Sequence, residues 1–230
     1  IKNFLFGYSV MDYKWMKGMR NQLLTKNYAK YPYHRTISVT DHDIGKQGSQ
    51  YRLPPPCSSL KNLYKREEQE PALLIAGEGP LYYQRWTGEN QKKYQEVLNY
   101  VRENFLEHKR YFKPKMGQTH HKEFDLKGFE LLESDVSLEE ICLRKNIVKI
   151  ISIKSIASKV GVYFGGSGYF LYPFFHLPTE MVEAVERDHD DMRSVVRVRQ
   201  LSDLKKEADL PQKRYGFQEL AAMYWEAMVG

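Results

Sequence analysis

Cysteine is nearly absent: Cys57 and Cys142 stand apart in a chain of 230 residues, and neither belongs to a CxxC or CxxxC pair. That excludes a secreted disulfide framework and the opening of a structural zinc site, and it points to a reducing compartment. Acidic side chains are scarce at the front. The first 66 residues hold three Asp against twelve Lys or Arg, a net charge of +9, while the whole chain carries +6 and the remainder therefore about −3. Internal repeats, low-complexity tracts and a sustained heptad register are also missing, which excludes solenoids and coiled coils. What the chain has in abundance is aromatic residues, with 17 Tyr, 11 Phe and 3 Trp. Such rings bury a face and keep a polar edge, so they suit contact surfaces as well as cores. With 42% hydrophobic and 28% charged residues the chain is no disordered polymer, and its length supports a sizeable core without staples.

The pattern along the chain divides it into a basic segment, 1–66, and a mixed helix and strand body, 67–230. Met11, Trp15, Met19 and Leu23 recur every four residues, which predicts an amphipathic helix. From Tyr31 to Ser59 come Pro32, Gly45, Gly48 and the run Pro54, Pro55, Pro56 with few aliphatic residues, the composition of an extended arm. A short charged helix is expected from Ser58 to Gln69. Leu73, Leu74, Ile75 and Ala76 then read as a buried strand ending in a turn at Gly77 and Gly79. From Glu89 to Phe112 helical spacing of Tyr94, Val97, Leu98, Val101 and Phe105 predicts a helix closed by Pro114. Ser137 with Glu140 forms a capping box that starts another helix at Leu138. The β-branched run Ile147 to Ile153 follows either as a strand or as a continuation of that helix to Ser158.

Val160 to Thr179 holds no Asp, Glu, Lys or Arg and is about long enough to span a bilayer. Its glycines, tyrosines and Pro173 favour a β-hairpin instead, with Val160 to Phe164 and Tyr169 to Phe175 flanking a Gly-Gly-Ser-Gly turn. An acidic helix from Thr179, a polar strand within 194–200, a charged connector over 203–213 and a terminal helix with the stripe Phe217, Leu220, Ala221, Tyr224 and Met228 complete the pattern. The expected fold class is thus α+β: a predominantly helical body with a short strand or hairpin element and an extended basic N-terminal arm.

Candidate chemistry is fragmentary. Gly77 and Gly79 after an apolar run resemble the opening of a nucleotide- or methyl-donor-binding turn, where absent side chains admit a ligand to the backbone. A full fingerprint needs a third glycine leading straight into a helix, and Pro80, Leu81, Tyr82 and Tyr83 stand there instead. Gly165, Gly166, Ser167 and Gly168 fit neither a nucleophile elbow, which fails at Tyr169, nor a phosphate loop. His120, His121, Glu123 and Asp125, and the group Asp188, His189, Asp190 and Asp191, carry metal-ligand types at poor spacing. Neighbours on a helix diverge by about 100° and cannot share one ion. No metal, cofactor or catalytic residue is therefore assigned from sequence.

The basic segment offers the strongest signal. Lys14, Lys17, Arg20, Lys26, Lys30, Arg35, Lys46 and Arg52 alternate with Tyr28, Tyr31, Tyr33 and Tyr51, a mixture in which cations neutralise phosphates and rings stack on bases. The same surface suits acidic proteins or anionic lipid. The expected function is a non-catalytic accessory subunit of a large protein assembly, its arm contacting neighbouring subunits. A mitochondrial location is expected from the basic arm and the start at Ile1, which a cleaved presequence would leave, with the cytoplasm as the other possibility. Two other functions remain open at this point: an RNA-contacting ribosomal or ribonucleoprotein subunit, and a nucleotide- or methyl-donor-dependent enzyme built on Gly77 and Gly79.

Overall fold

The computed structural model describes residues 36–38, 50–52, 58, 70–78, 87–115, 119–155, 157–188, 194–208 and 216–229. Within the stretch read as an extended arm, β1 (Thr36–Ser38) pairs in parallel with β2 (Gln50–Arg52), Ile37 opposite Tyr51. The helix expected around Met11 to Leu23 and the charged helix expected between Ser58 and Gln69 lie outside the described residues, Ser58 aside.

The body begins with β3 (Ala72–Ala76), buried at every position. A strand covered on both faces has no solvent side to mark with polar residues, so it reads as a continuous apolar run. Thr87 caps α1 (Gly88–Asn104), its hydroxyl accepting from the Asn90 amide at 3.3 Å. Tyr94, Val97, Leu98 and Val101 form the buried stripe of α1, as the sequence spacing predicts. The helix stops at Asn104, well short of Phe112, because residues 109–113 pair beside β3 as β4 (Lys109–Lys113). In this strand Tyr111 and Phe112 are fully buried while Lys109 is exposed and Arg110 and Lys113 are half-buried. Lys109 meets Glu70 at 3.7 Å, and Arg110 donates to the Arg102 carbonyl at 3.0 Å.

A 3-10 turn at His120–Glu123 leads to the two-residue edge strand β5 (Glu130–Leu131). Ser137 starts α2 (Leu138–Arg144) as its sequence predicts, accepting from the Glu140 amide at 3.1 Å. After Asn146 the β-branched run forms β6 (Ile147–Ser152), which decides between strand and continued helix. The chain goes on through α3 (Ala157–Tyr163), β7 (Ser167–Phe170), a 3-10 turn at Tyr172–Phe174, α4 (Thr179–Asp188) and β8 (Val195–Arg197). A 3-10 turn at Leu201–Lys205 and the terminal helix α5 (Phe217–Val229) follow. Of the stripe predicted on α5, Leu220 is buried whereas Phe217 is exposed.

The six strands of the body form one parallel sheet in the order β5-β4-β3-β6-β7-β8. The chain lays β3, β4 and β5 outward to one edge, crosses back to the other side of β3, and lays β6, β7 and β8 outward to the opposite edge. Both faces are covered. On one, Leu73, Ile75, Phe112 and Ile151 pack in a cluster with Val97, Leu98 and Val101 of α1. On the other, Leu74, Tyr111 and Ile150 cluster with Ile141 and Leu143 of α2 and Val160 of α3. Each fully buried Leu, Ile or Val contributes roughly 1.5–3 kcal/mol.

This sheet overturns the expected α+β class with a mostly helical body and a short hairpin: the body is a doubly wound α/β fold of Rossmann type. The apolar halves of the supposed hairpin do not pair with each other. Val160 to Tyr163 complete α3, Gly165 at φ 79° makes the turn, and β7 pairs in parallel with β6 and β8. Between parallel strands the chain needs a crossover rather than a tight turn, so the glycines end a helix here. Among the described residues no helix is long and apolar enough to cross a membrane.

Candidate functional site

Strand order reverses between β3 and β6, and the carboxyl ends of these strands, with that of β4, open on a cavity of about 250 Å³. In open α/β sheets the crossovers on either side of such a reversal run off in different directions and leave a crevice between them. Gly77 at the exit of β3 makes the close approach possible. Its amide donates to the Lys113 carbonyl at 2.8 Å, and a Cβ here would lie 3.0 Å from that oxygen. The next residue, Glu78, spans the reversal itself. One carboxylate oxygen accepts from the amides of Ile153 at 2.9 Å and Lys154 at 3.2 Å, tying the end of β3 to the end of β6.

Three segments line the cavity. Lys113, Pro114 and Lys115 come from the exit of β4, Ser134 to Glu139 from the β5–α2 connection and the first turn of α2, and Ser155, Ala157 and Val160 from the β6–α3 corner. Lys113 donates to the Ser134 carbonyl at 3.0 Å, which joins the first two walls. Asp135 and Lys115 are exposed and, among the described residues, make no hydrogen bond.

Burial sets the electrostatics. It pushes the Glu78 carboxyl up, against the amides of Lys154 and Ile153 and the charges of Lys115 and Lys154, which favour the anion. Burial likewise raises Glu139, and it lowers Lys113 against the pull of Asp135 and Glu139. Within the cavity, burial thus disfavours the charged forms of both Lys113 and Glu139.

The residues singled out from sequence are only partly brought together. Gly77 lies on the cavity, whereas Gly79 is outside the described residues. Tyr51 and Arg52 sit in β2. Lys14, Lys17, Arg20, Lys26, Lys30, Tyr31, Tyr33, Arg35 and Lys46 lie outside the described residues. His121 and Glu123 belong to the 3-10 turn after β4, and no group of three or more metal-ligand types is placed to hold an ion among the described residues. Ser167 and Gly168 are part of β7. Sequence reasoning missed Glu78, Lys113, Lys115, Asp135 and Glu139. The only local signal was the glycine on either side of Glu78, because the lysines and acids meet it through strand pairing.

No family model matches the chain, and no curated protein matches it. Among solved structures it is similar to the UDP-GlcNAc 2-epimerase from Methanocaldococcus jannaschii, at 15% identity and a TM-score of 0.47, over 79% of this chain and 56% of that one. The chain therefore spans little more than half the length of that structure, and no functional argument is drawn from the likeness.

Proposed function

We propose that the body binds a phosphate-bearing small molecule, a nucleotide or a sugar phosphate, in the crevice between β3 and β6, and acts on it as an enzyme. The observation that carries this reading is the position of the cavity: it lies at the carboxyl ends of the central strands, at the reversal of a 3-2-1-4-5-6 strand order, where folds of this kind hold their ligands. Strand order alone is shared by proteins of unlike function. The lysines are this chain's own contribution. Lys115 offers an ammonium free of hydrogen bonds among the described residues, and Lys113 stands beside it on the same strand exit. Phosphate oxygens are natural acceptors for both. Asp135 and Glu139 on the facing wall supply carboxyl groups able to accept a proton or a hydrogen bond from a bound substrate.

Thermal unfolding with a panel of nucleotides and sugar phosphates tests the reading. A ligand at 100 times its Kd adds about 2.7 kcal/mol to stability, so at least one compound is expected to raise Tm by several degrees. Lys115→Ala is expected to weaken that ligand about ten-fold. If no nucleotide and no sugar phosphate moves Tm at millimolar concentration, the proposal falls.

The accessory-subunit function, with protein or RNA neighbours on the basic segment, is compatible with a ligand site in the body. Its support is the +9 charge of residues 1–66, and most of that segment lies outside the described residues.

A further inference from the structure

We infer that the ligand of this crevice carries a single phosphate group on a sugar with neighbouring free hydroxyls, and that Asp135 and Glu139 select it against polyphosphates and deoxy sugars. The inference rests on the crevice being a phosphate-ligand site and names the class of ligand. It follows from how the charges are distributed over the walls. The exit of β4 supplies two cations, Lys113 and Lys115, while the connection into α2 supplies two carboxylates, Asp135 and Glu139, on the same cavity. A site built for a polyphosphate would surround it with donors. Among the described residues this one is balanced, two lysines against two carboxyls.

Lys113 already spends hydrogen bonds on the carbonyls of Ser134 and Pro114, at 3.0 and 3.5 Å. That leaves it little to give beyond one oxygen, so Lys115 is the principal uncommitted cation. A carboxylate accepts hydrogen bonds and gives none, and its two oxygens suit two adjacent hydroxyls. Asp135 has no hydrogen-bond partner among the described residues, so whatever meets it must donate. A phosphorylated sugar brings an anion for one wall and donors for the other. A triphosphate brings more negative charge than two lysines balance and presses the excess toward two carboxylates. The volume, about 250 Å³, lies below the usual range of ligand sites, which starts at about 300 Å³, and so favours a ligand with a single phosphate over a polyphosphate.

Ribonucleoside monophosphates and simple sugar phosphates share this chemistry, and the test separates them. Isothermal titration of the full chain would use the four ribonucleoside 5′-monophosphates, their 2′,3′-dideoxy counterparts, glucose 1-phosphate, ATP without divalent metal, and phosphoethanolamine. At least one ribonucleotide, or glucose 1-phosphate, is expected to bind. Where a ribonucleotide binds, its dideoxy form is expected to be weaker by about ten-fold or more, and ATP no tighter than AMP. Where glucose 1-phosphate alone binds, the source is a sugar phosphate and the diol preference is read against 3-deoxyglucose 1-phosphate, which has no two free hydroxyls on adjacent carbons. Asp135→Asn or Glu139→Gln is expected to reduce the diol preference, whereas Lys115→Ala weakens diol and deoxy forms alike. Equal binding of diol and deoxy forms, tighter binding of ATP, or a preference for phosphoethanolamine overturns this inference and leaves the phosphate crevice standing. Absence of binding by every phosphate compound overturns both.

Discussion

Glu78 is the residue on which the crevice depends most directly, since one buried carboxylate oxygen serves two amides of the neighbouring strand exit. Removing it as Glu78→Ala leaves the amides of Ile153 and Lys154 without that acceptor, at a cost of about 1–3 kcal/mol. Glu78→Gln keeps an acceptor and discards the ionisation. Because burial raises the folded-state value, the proton taken up on folding contributes stability below the unfolded carboxylate range. That contribution is lost as pH rises through the folded value. Urea unfolding at acid and neutral pH is therefore expected to show wild type losing ground to Glu78→Gln as pH increases, with Glu78→Ala least stable at both. A wild-type minus Gln difference independent of pH would show that Glu78 ionises as freely folded as unfolded. Little of this was legible beforehand: Glu78 stood between two glycines, and nothing local distinguished it from a turn residue.

At the scale of elements, α3 and β7 meet at the closest approach found at any described glycine. A Cβ on Gly168 would lie 2.2 Å from the Ser158 carbonyl oxygen, which is backbone and cannot swing aside. Ser158 reinforces the fit, its hydroxyl donating to the Tyr169 carbonyl at 2.8 Å and pairing with Ser152 at 2.7 Å. Gly168→Ala is thus expected to cost about 3 kcal/mol or more. Gly88→Ala, where a Cβ meets open space, is expected to leave Tm unchanged or slightly higher. Calorimetry of the two variants checks the contrast. The same glycines suggest a hairpin when read along the chain, because a glycine that admits a helix against a strand and one that turns a hairpin look alike in sequence. The Ser137 cap and the stripe of α1 were legible, being set within a few residues by capping and helical period.

Over the whole molecule, a single sheet with both faces covered implies a gradient of protection from its centre outward. β3 and β6 each have strands on both sides and helices on both faces. β5 and β8 are short edges with two and three residues. Native-state hydrogen exchange is expected to be slowest in Leu73 to Ile75 and Ile150 to Ile151, and faster by orders of magnitude in Glu130 to Leu131. Uniform exchange across the sheet would contradict this placement of the core. Bound ligand is expected to slow the strand exits at Gly77, Lys115 and Lys154 more than the opposite end, since it would bridge the exits alone.

By itself the sequence determined the features that a few neighbouring residues can specify: the buried run of β3, the apolar stripe of α1, the cap of α2, the β-branched core of β6 and the separation of charge between the two ends. Only the tertiary structure decided that these pieces form one parallel sheet, that Lys109 to Lys113 is a strand despite its cations, and that Lys113, Lys115, Asp135 and Glu139 converge on one crevice. The reason lies in the range of the forces. Helical period and capping act within a turn of chain, whereas the two pairings that flank β3 join residues about 37 and about 76 apart, and neither the order of strands nor the site at its reversal exists until those pairings are made.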